Sequence, residues 1–179
     1  MTKLELVTAV KNIIDELDTD TQIDSIINSG IDFAYRYDLA KIDKRLSTSY
    51  LPVVNGMATL PSDMLSIESI SPVLGTSDRI VGNAILTAQD TTFTLIYSLV
   101  RDVLSDKDEL DLNQGLINSV ISYCCYMYYK YKKKLDVANQ YIQEYENSKQ
   151  NYIMNQNNNI IETVVDVYAT DTEGDDIDW

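Results

Sequence analysis

The stretch DLNQGLINSVISYCCYMYYKYKKKLDVANQYIQEYENSKQNY, Asp111 to Tyr152, decides the fold. Apolar residues recur in it at helical spacing on both sides of a basic corner. Leu116, Val120, Tyr123, Cys124, Met127 and Tyr131 fall on one side of a helix expected over 113–132. Ala138, Tyr141, Ile142 and Tyr145 form the expected inner face of a second helix over 136–153. Lys130, Lys132, Lys133 and Lys134 cluster between them, where cations complement the dipole at the end of the first helix. The other expectation for this cluster is a salt-bridge surface for a neighbouring acidic subunit. Eight of the chain's 13 tyrosines lie in the stretch. Tyr123, Tyr126, Tyr128, Tyr129 and Tyr131 are too closely spaced to share one helix face, so some of them meet solvent or other chains. Tyrosine suits an interface because a large apolar ring carries a hydroxyl that tolerates water. These five are the expected subunit interface.

Two further helices precede this spine. Thr2-Lys3-Leu4-Glu5 fits a capping box, in which hydroxyl and carboxylate satisfy each other's backbone N–H groups. Leu4, Val7, Val10, Ile14 and Leu17 then give a helical stripe over 2–17, and Ile23, Ile26, Ile27, Ile31 and Ala34 give another over 20–40, with Thr19 and Gln22 as its cap. So short a turn at 18–21 predicts an antiparallel hairpin. Gly30 interrupts the second helix as a tolerated residue, a close helix contact or a kink.

Between the two helical parts the period shortens. Tyr50–Val54, Asn55-Gly56 and Met57–Leu60 read as a hairpin with a type I′ turn. Further strands are expected at Met64–Ile70, Arg79–Val81, Ala84–Leu86 and Thr92–Val100, so that residues 50–100 form a small, mostly antiparallel sheet region. The expected fold class is α+β, mainly α: an N-terminal helical hairpin, a small antiparallel β region, two long C-terminal helices and an extended C-terminal arm. The core spans residues 1–154, and the arm and acidic tail span 155–179. Asn155–Asn159 is a polar linker, and Ile160, Ile161, Val164, Val165, Val167 and Tyr168 supply an apolar, β-branched arm suited to pairing with a partner. Asp171–Trp179 is expected to be disordered when free.

Composition removes whole function classes. The net charge of −14 opposes nonspecific binding to nucleic acid or anionic lipid. It is unevenly placed: no base follows Lys149, the seven acids beyond it carry −7, and residues 1–149 carry 14 bases against 21 acids. No apolar run approaches the roughly 20 residues that span a bilayer, so no membrane partner is expected. Acids throughout the first twenty residues argue against a signal peptide, so synthesis in a cytoplasm is expected. With no histidine, Cys/His zinc sites and His-based triads are excluded. Cys124 and Cys125 are adjacent, and side chains one residue apart on a helix project about 100° apart, which opposes a disulfide between them. The tail's Asp171, Glu173, Asp175, Asp176 and Asp178 suggest a calcium loop, but Gly174 is fourth rather than sixth and no bidentate glutamate follows at the twelfth position. The tail therefore reads as a solvated acidic segment or one that docks on a basic surface. No Gly-rich phosphate loop and no isolated acid/base pair is present, so neither an enzyme nor a cofactor is expected.

The order of elements carries one resemblance. Two helices lead into Leu60-Pro61-Ser62-Asp63-Met64-Leu65 and an apolar strand. A strand ending near Val100, the turn Asp106-Lys107-Asp108-Glu109-Leu110 and two long helices with Tyr141 and Glu144-Tyr145 follow. This arrangement, over Leu4 to Tyr152, resembles the head–tail connector (adaptor, neck ring) proteins of tailed bacteriophages. Members show a Leu-Pro-x-Asp step into a strand and an Asp-Asp/Glu-Leu step into the penultimate helix. They commonly begin that helix with proline, where this chain has Leu112-Asn113-Gln114. The resemblance implies a structural virion protein at the head–tail interface, made in the host cytoplasm. It implies a homo-oligomeric ring, typically twelve-fold, beneath the portal protein. The ring extends the DNA channel used in genome ejection and carries the next tail or neck protein. An acidic lumen would let DNA slide without sequence-specific binding. The arm, with Trp179, is then the expected contact to portal or neighbour. Another neck or tail-completion protein is the alternative. An acidic DNA-mimic inhibitor is the alternative of a different class, but it needs carboxylates arrayed over the body, and half the excess charge lies in the tail.

Overall fold

Among the described residues, four helices and a π-helical segment that continues the second of them enclose one core, and six short strands enclose a second. The structure, a computed structural model, describes residues 1–14 and 21–169, with side chains as far as residue 156. Helix α1 is Lys3–Ile14 and α2 is Thr21–Ile31. Strands β1 (Leu46–Pro52), β2 (Met57–Thr59), β3 (Met64–Ser71), β4 (Arg79–Val81), β5 (Ala84–Leu86) and β6 (Thr92–Leu99) follow, then α3 (Gln114–Tyr131) and α4 (Leu135–Ala169). The fold class is the one expected, α+β and mainly α, with a small antiparallel β region and two long C-terminal helices.

The capping box forms as the sequence dictates. Thr2 N–H donates to Glu5 Oε2 at 2.8 Å, and Glu5 N–H donates to Thr2 Oγ1 at 3.2 Å. The same end of α1 is tied to the acidic turn: Lys3 N–H donates to the Asp108 carbonyl at 3.0 Å and Leu110 N–H to the Met1 carbonyl at 3.0 Å. Lys11 near the end of α1 pairs with Asp24 in the first turn of α2 at 2.6 Å. The expected Thr19–Gln22 cap involves Thr19, which lies outside the described residues.

The second helix is not one regular helix over 20–40. After Ile31 it widens into a π-helical segment, Asp32–Asp38, and tightens into a 3-10 turn, Leu39–Lys41. Gly30 sits just before the change, packed against α3. A methyl group there would lie 3.1 Å from Cys124 Sγ and 3.3 Å from Cys124 Cα. Of the readings open to Gly30, the close helix contact is the one found.

The strands form two antiparallel three-stranded sheets, ordered β1-β6-β3 and β2-β5-β4. The hairpin expected at 50–60 is therefore reduced to its turn. Asn55 and Gly56 adopt the positive φ values of 54° and 76°, and Val54 and Met57 exchange two backbone hydrogen bonds. Beyond that pair the strands part, β1 to β6 and β2 to β5. The reason is burial: Phe93, Leu95 and Tyr97 alternate inward along β6 and need β1 and β3 flanking them, while Ala58 and Ile85 form the buried centre of the second sheet. Both sheets contribute to one cluster of Leu51, Ala58, Leu60, Ile85, Phe93, Leu95 and Tyr97.

Helix α4 runs past the boundary expected near 153, and its backbone is helical through the segment read as linker and arm, to Ala169. No proline or glycine lies between Leu135 and Ala169 to stop it. The side chains of Ile160, Ile161, Val164, Val165, Val167 and Tyr168, and all of Asp171–Trp179, lie outside the described residues. Among the described residues no helix is long and apolar enough to cross a membrane.

Candidate functional site

The spine's buried face shares Leu116, Val120 and Cys124 with the expected one and is shifted toward Ile117, Cys125 and Tyr128. Leu116, Ile117, Ser119, Val120, Cys124, Cys125 and Tyr128 are the buried residues of α3. Met127 is half-buried and Tyr131 is exposed at 44%. The inward direction is set by Gly30, which lets α2 approach over Cys124 so closely that the Cys124 thiol reaches the Ile27 carbonyl at 3.6 Å. Burial pushes the Cys124 thiol well up and the Cys125 thiol up to about 12, so both are inert structural residues.

The five tyrosines therefore divide. Tyr128 is buried, Tyr123, Tyr126 and Tyr129 are half-buried, and Tyr131 is exposed. Tyr123 joins three neighbours: it stacks on Phe33 at 5.1 Å between centroids, tilts against Tyr145 at 5.0 Å and meets Tyr126 at 5.6 Å. Phe33 is itself 45% exposed. The rings thus make a surface strip, Phe33–Tyr123–Tyr126, that extends by a cation–π contact to Lys130, 5.3 Å from the Tyr126 centroid. On the other side Tyr129 lies nearly parallel to Tyr141, 5.5 Å away. Burial raises the Tyr123 hydroxyl above its ordinary value, so it stays a neutral donor.

A second arrangement, missed in the sequence, fastens α4 to the body. Tyr145, Lys149 and Tyr152 lie at i, i+4 and i+7, one stripe of the helix. Tyr145 donates to Asp38 Oδ2 at 2.5 Å, Lys149 Nζ donates to the same oxygen at 2.8 Å, and Tyr152 donates to Asp43 Oδ1 at 3.1 Å. Asp43 Oδ2 in turn accepts from Arg101 Nη2 at 2.9 Å and from the Asn113 N–H at 3.0 Å, just before α3. Arg101 follows β6 and is 3% exposed. Its carbonyl accepts from Arg36 Nε at 2.8 Å, and its guanidinium lies over the Tyr35 ring at 5.3 Å. One polar junction thus joins the π-helical segment, the sheet, the start of α3 and α4. Burial would raise the Asp38 carboxyl, but the hydrogen bonds from Lys149 and Tyr145, with the lysine's charge, hold it below its ordinary value. Burial would lower Lys149, and its bonds to Asp38 and Glu146 keep it raised instead.

A concavity of about 570 Å³ is lined by α2, the π-helical segment and Val103-Leu104. Its polar groups are spread among structural pairs such as Arg36–Asp32 and Lys3–Asp106. Among the described residues no group of three or more Cys, Asp or Glu is placed to hold a metal ion. No family model matches the chain, and no curated protein is similar to it.

Proposed function

We propose that this protein is a structural ring subunit of a tailed-bacteriophage neck, sited in the virion between portal and tail and lining the DNA channel. The observation that carries the proposal is the aromatic strip Phe33–Tyr123–Tyr126 with exposed Tyr131, on the π-helical segment and α3. Large aromatic surface left half-open on rigid elements favours association with another copy. The resemblance in element order supplies the kind of assembly, a portal-bound ring, typically of twelve copies. The wide polar junction supports it further, because it fixes the direction in which α4 leaves the body. Tyr152 is the last α4 side chain packed on the helical core among the described residues. The segment 155–179 beyond it is the proposed arm to portal or neighbour, residues 50–100 meet the next tail protein, and the acidic lumen lets DNA pass.

The test is co-expression of the chain with the portal protein encoded beside it, followed by native mass spectrometry. A ring on the portal is expected for the full chain, and loss of portal binding for residues 1–154. Binding unchanged by the truncation would remove the arm's role, and absence of any portal complex with the full chain would refute the proposal.

A further inference from the structure

Each of the two sheets has two edge strands, and three of the four resist pairing. β2 and β4 are three residues each, too short to hold a partner strand. β3 loses register with β6 twice, between Met64 and Ser66 and between Ile67 and Ser69, and carries Glu68. Shortness, bulges and charges are the usual guards of a strand edge. As far as Leu51, β1 has none of them. It pairs with β6 without a break from Leu46↔Ser98 to Pro52↔Thr92, and Leu46–Pro52 contains no charged residue. Among the described residues β6 is its one strand neighbour.

The ladder fixes which backbone groups of β1 face outward. Leu99 N–H donates to the Arg45 carbonyl at 2.9 Å, and Val53 N–H donates to the Thr91 carbonyl at 3.1 Å. Alternation in an antiparallel ladder therefore directs the backbone groups of Arg45, Ser47, Ser49, Leu51 and Val53 to β6. Those of Leu46, Thr48 and Tyr50 point away from it. Pro52, next in that series, has no N–H to offer, which is where an edge strand tolerates proline, and it ends the free edge. The side chains of Leu46, Thr48 and Tyr50 share the outer face of the sheet and are exposed, Leu46 at 60% and Tyr50 at 71%.

We infer that β1 pairs with β1 of a second copy, antiparallel and centred on Thr48. The free edge offers N–H and C=O groups at three alternate positions, and the same strand of another copy presents the matching set. Centred on Thr48, the two Thr48 residues face each other, Leu46 faces Tyr50 of the other copy, and Ser47 faces Ser49. Every outward N–H then meets an outward carbonyl. Each Tyr50 ring lies beside a Leu46, an aromatic–aliphatic cross-strand pair. Lys44 and Arg45 fall opposite Pro52 and Leu51, so no like charges meet. A shift of two residues sets Leu46 opposite Pro52, or Tyr50 opposite Lys44 outside the strand, so the centred register is the one that uses the whole edge. So short a contact belongs to the small, transient class, below about 1,200 Å². It also closes on two copies, whereas a ring needs a heterologous contact. The inference therefore goes beyond the neck-ring reading and does not rest on it.

The experiment is sedimentation equilibrium of the full chain at concentrations up to about 1 mM, in about 0.15 M salt to screen the −14 on each copy. A monomer–dimer equilibrium is expected. Thr48→Pro removes the central outward N–H and no bond to β6, and should weaken the dimer about tenfold or more. Thr48→Lys and Thr48→Glu each set like charges opposite one another and should weaken it about fivefold. An equimolar mixture of those two variants should restore it, because the facing residues then attract. All three should keep the parent's far-UV circular dichroism, since Thr48 is exposed. Thr48→Pro should also leave the portal-bound ring seen by native mass spectrometry, so the failure of either reading is distinguishable from that of the other. A chain that stays monomeric over the whole series, a dimer indifferent to Thr48→Pro, or a charge mixture no better paired than either variant alone would each overturn the inference.

Discussion

The bond pair at Asp38 gives the most exacting test of how α4 is held. Lys149 Nζ and Tyr145 OH share one carboxylate oxygen, and the lysine and aspartate side chains are only 16% and 20% exposed. Replacing Lys149 by Met keeps the apolar stem and removes the charged donor. A hydrogen bond to a charged group contributes about 1.5–3 kcal/mol when it is shielded, against about 0.2–1 kcal/mol for exposed pairs. The low exposure places this pair with the former. Lys149→Met should thus cost about 2 kcal/mol, a fall in Tm of about 4–8 °C for a chain of this size. A double-mutant cycle of Lys149→Met with Asp38→Asn, followed by chemical denaturation, isolates the coupling. The pH dependence has a fixed sign. Asp38 is held below its ordinary 3.8, so its share is present above that value and is lost as pH falls through the lower folded value. Lys149 is raised above 10.5, so its share is complete below that and lost as pH rises through the higher folded value. The coupling should be flat between these limits. A coupling under about 0.3 kcal/mol at neutral pH, the size of a screened surface pair, would refute the reasoning.

Three other outcomes follow from the packing. Gly30→Val should lower stability by about 2–4 kcal/mol in thermal denaturation, since its side chain meets Cys124 Sγ and the α3 backbone within 3.4 Å; Gly30→Ala should cost less, because gained helix propensity of about 1 kcal/mol offsets the crowding. Cys124 and Cys125 are fully buried with raised thiol pKa values, so a thiol reagent at pH 8 should label neither until denaturant unfolds the chain. Tyr126→Ser with Tyr131→Ser should leave stability within about 1 kcal/mol of the parent's while reducing oligomer formation in sedimentation; an unchanged oligomer would remove these rings from the interface.

Much of this fold is written locally. The capping box needs only Thr2 and Glu5, the Asn55-Gly56 turn needs only two residues that tolerate positive φ, and the helices of the spine need only their apolar period. Each is decided by residues within one or two turns of each other, so the sequence by itself determined them. It also determined the fold class, and the excess of tyrosine over what one helix face can bury.

What only the tertiary structure decided depends on partners far apart in the chain. Which tyrosine is inside was set by Gly30, some ninety residues from the spine, because backbone approach at that one point rotates α3 and turns Tyr128 in and Tyr131 out. The strand pairing was set by the two-sided demand of β6, which took β1 from the hairpin that the local turn suggested. The junction of Asp38, Asp43, Arg101, Tyr145, Lys149 and Tyr152 left one trace in the sequence, the i, i+4, i+7 stripe on α4. Its acidic half is indistinguishable there from the chain's other carboxylates. A buried charge is identified by the partner that compensates it, and that partner is chosen by the fold.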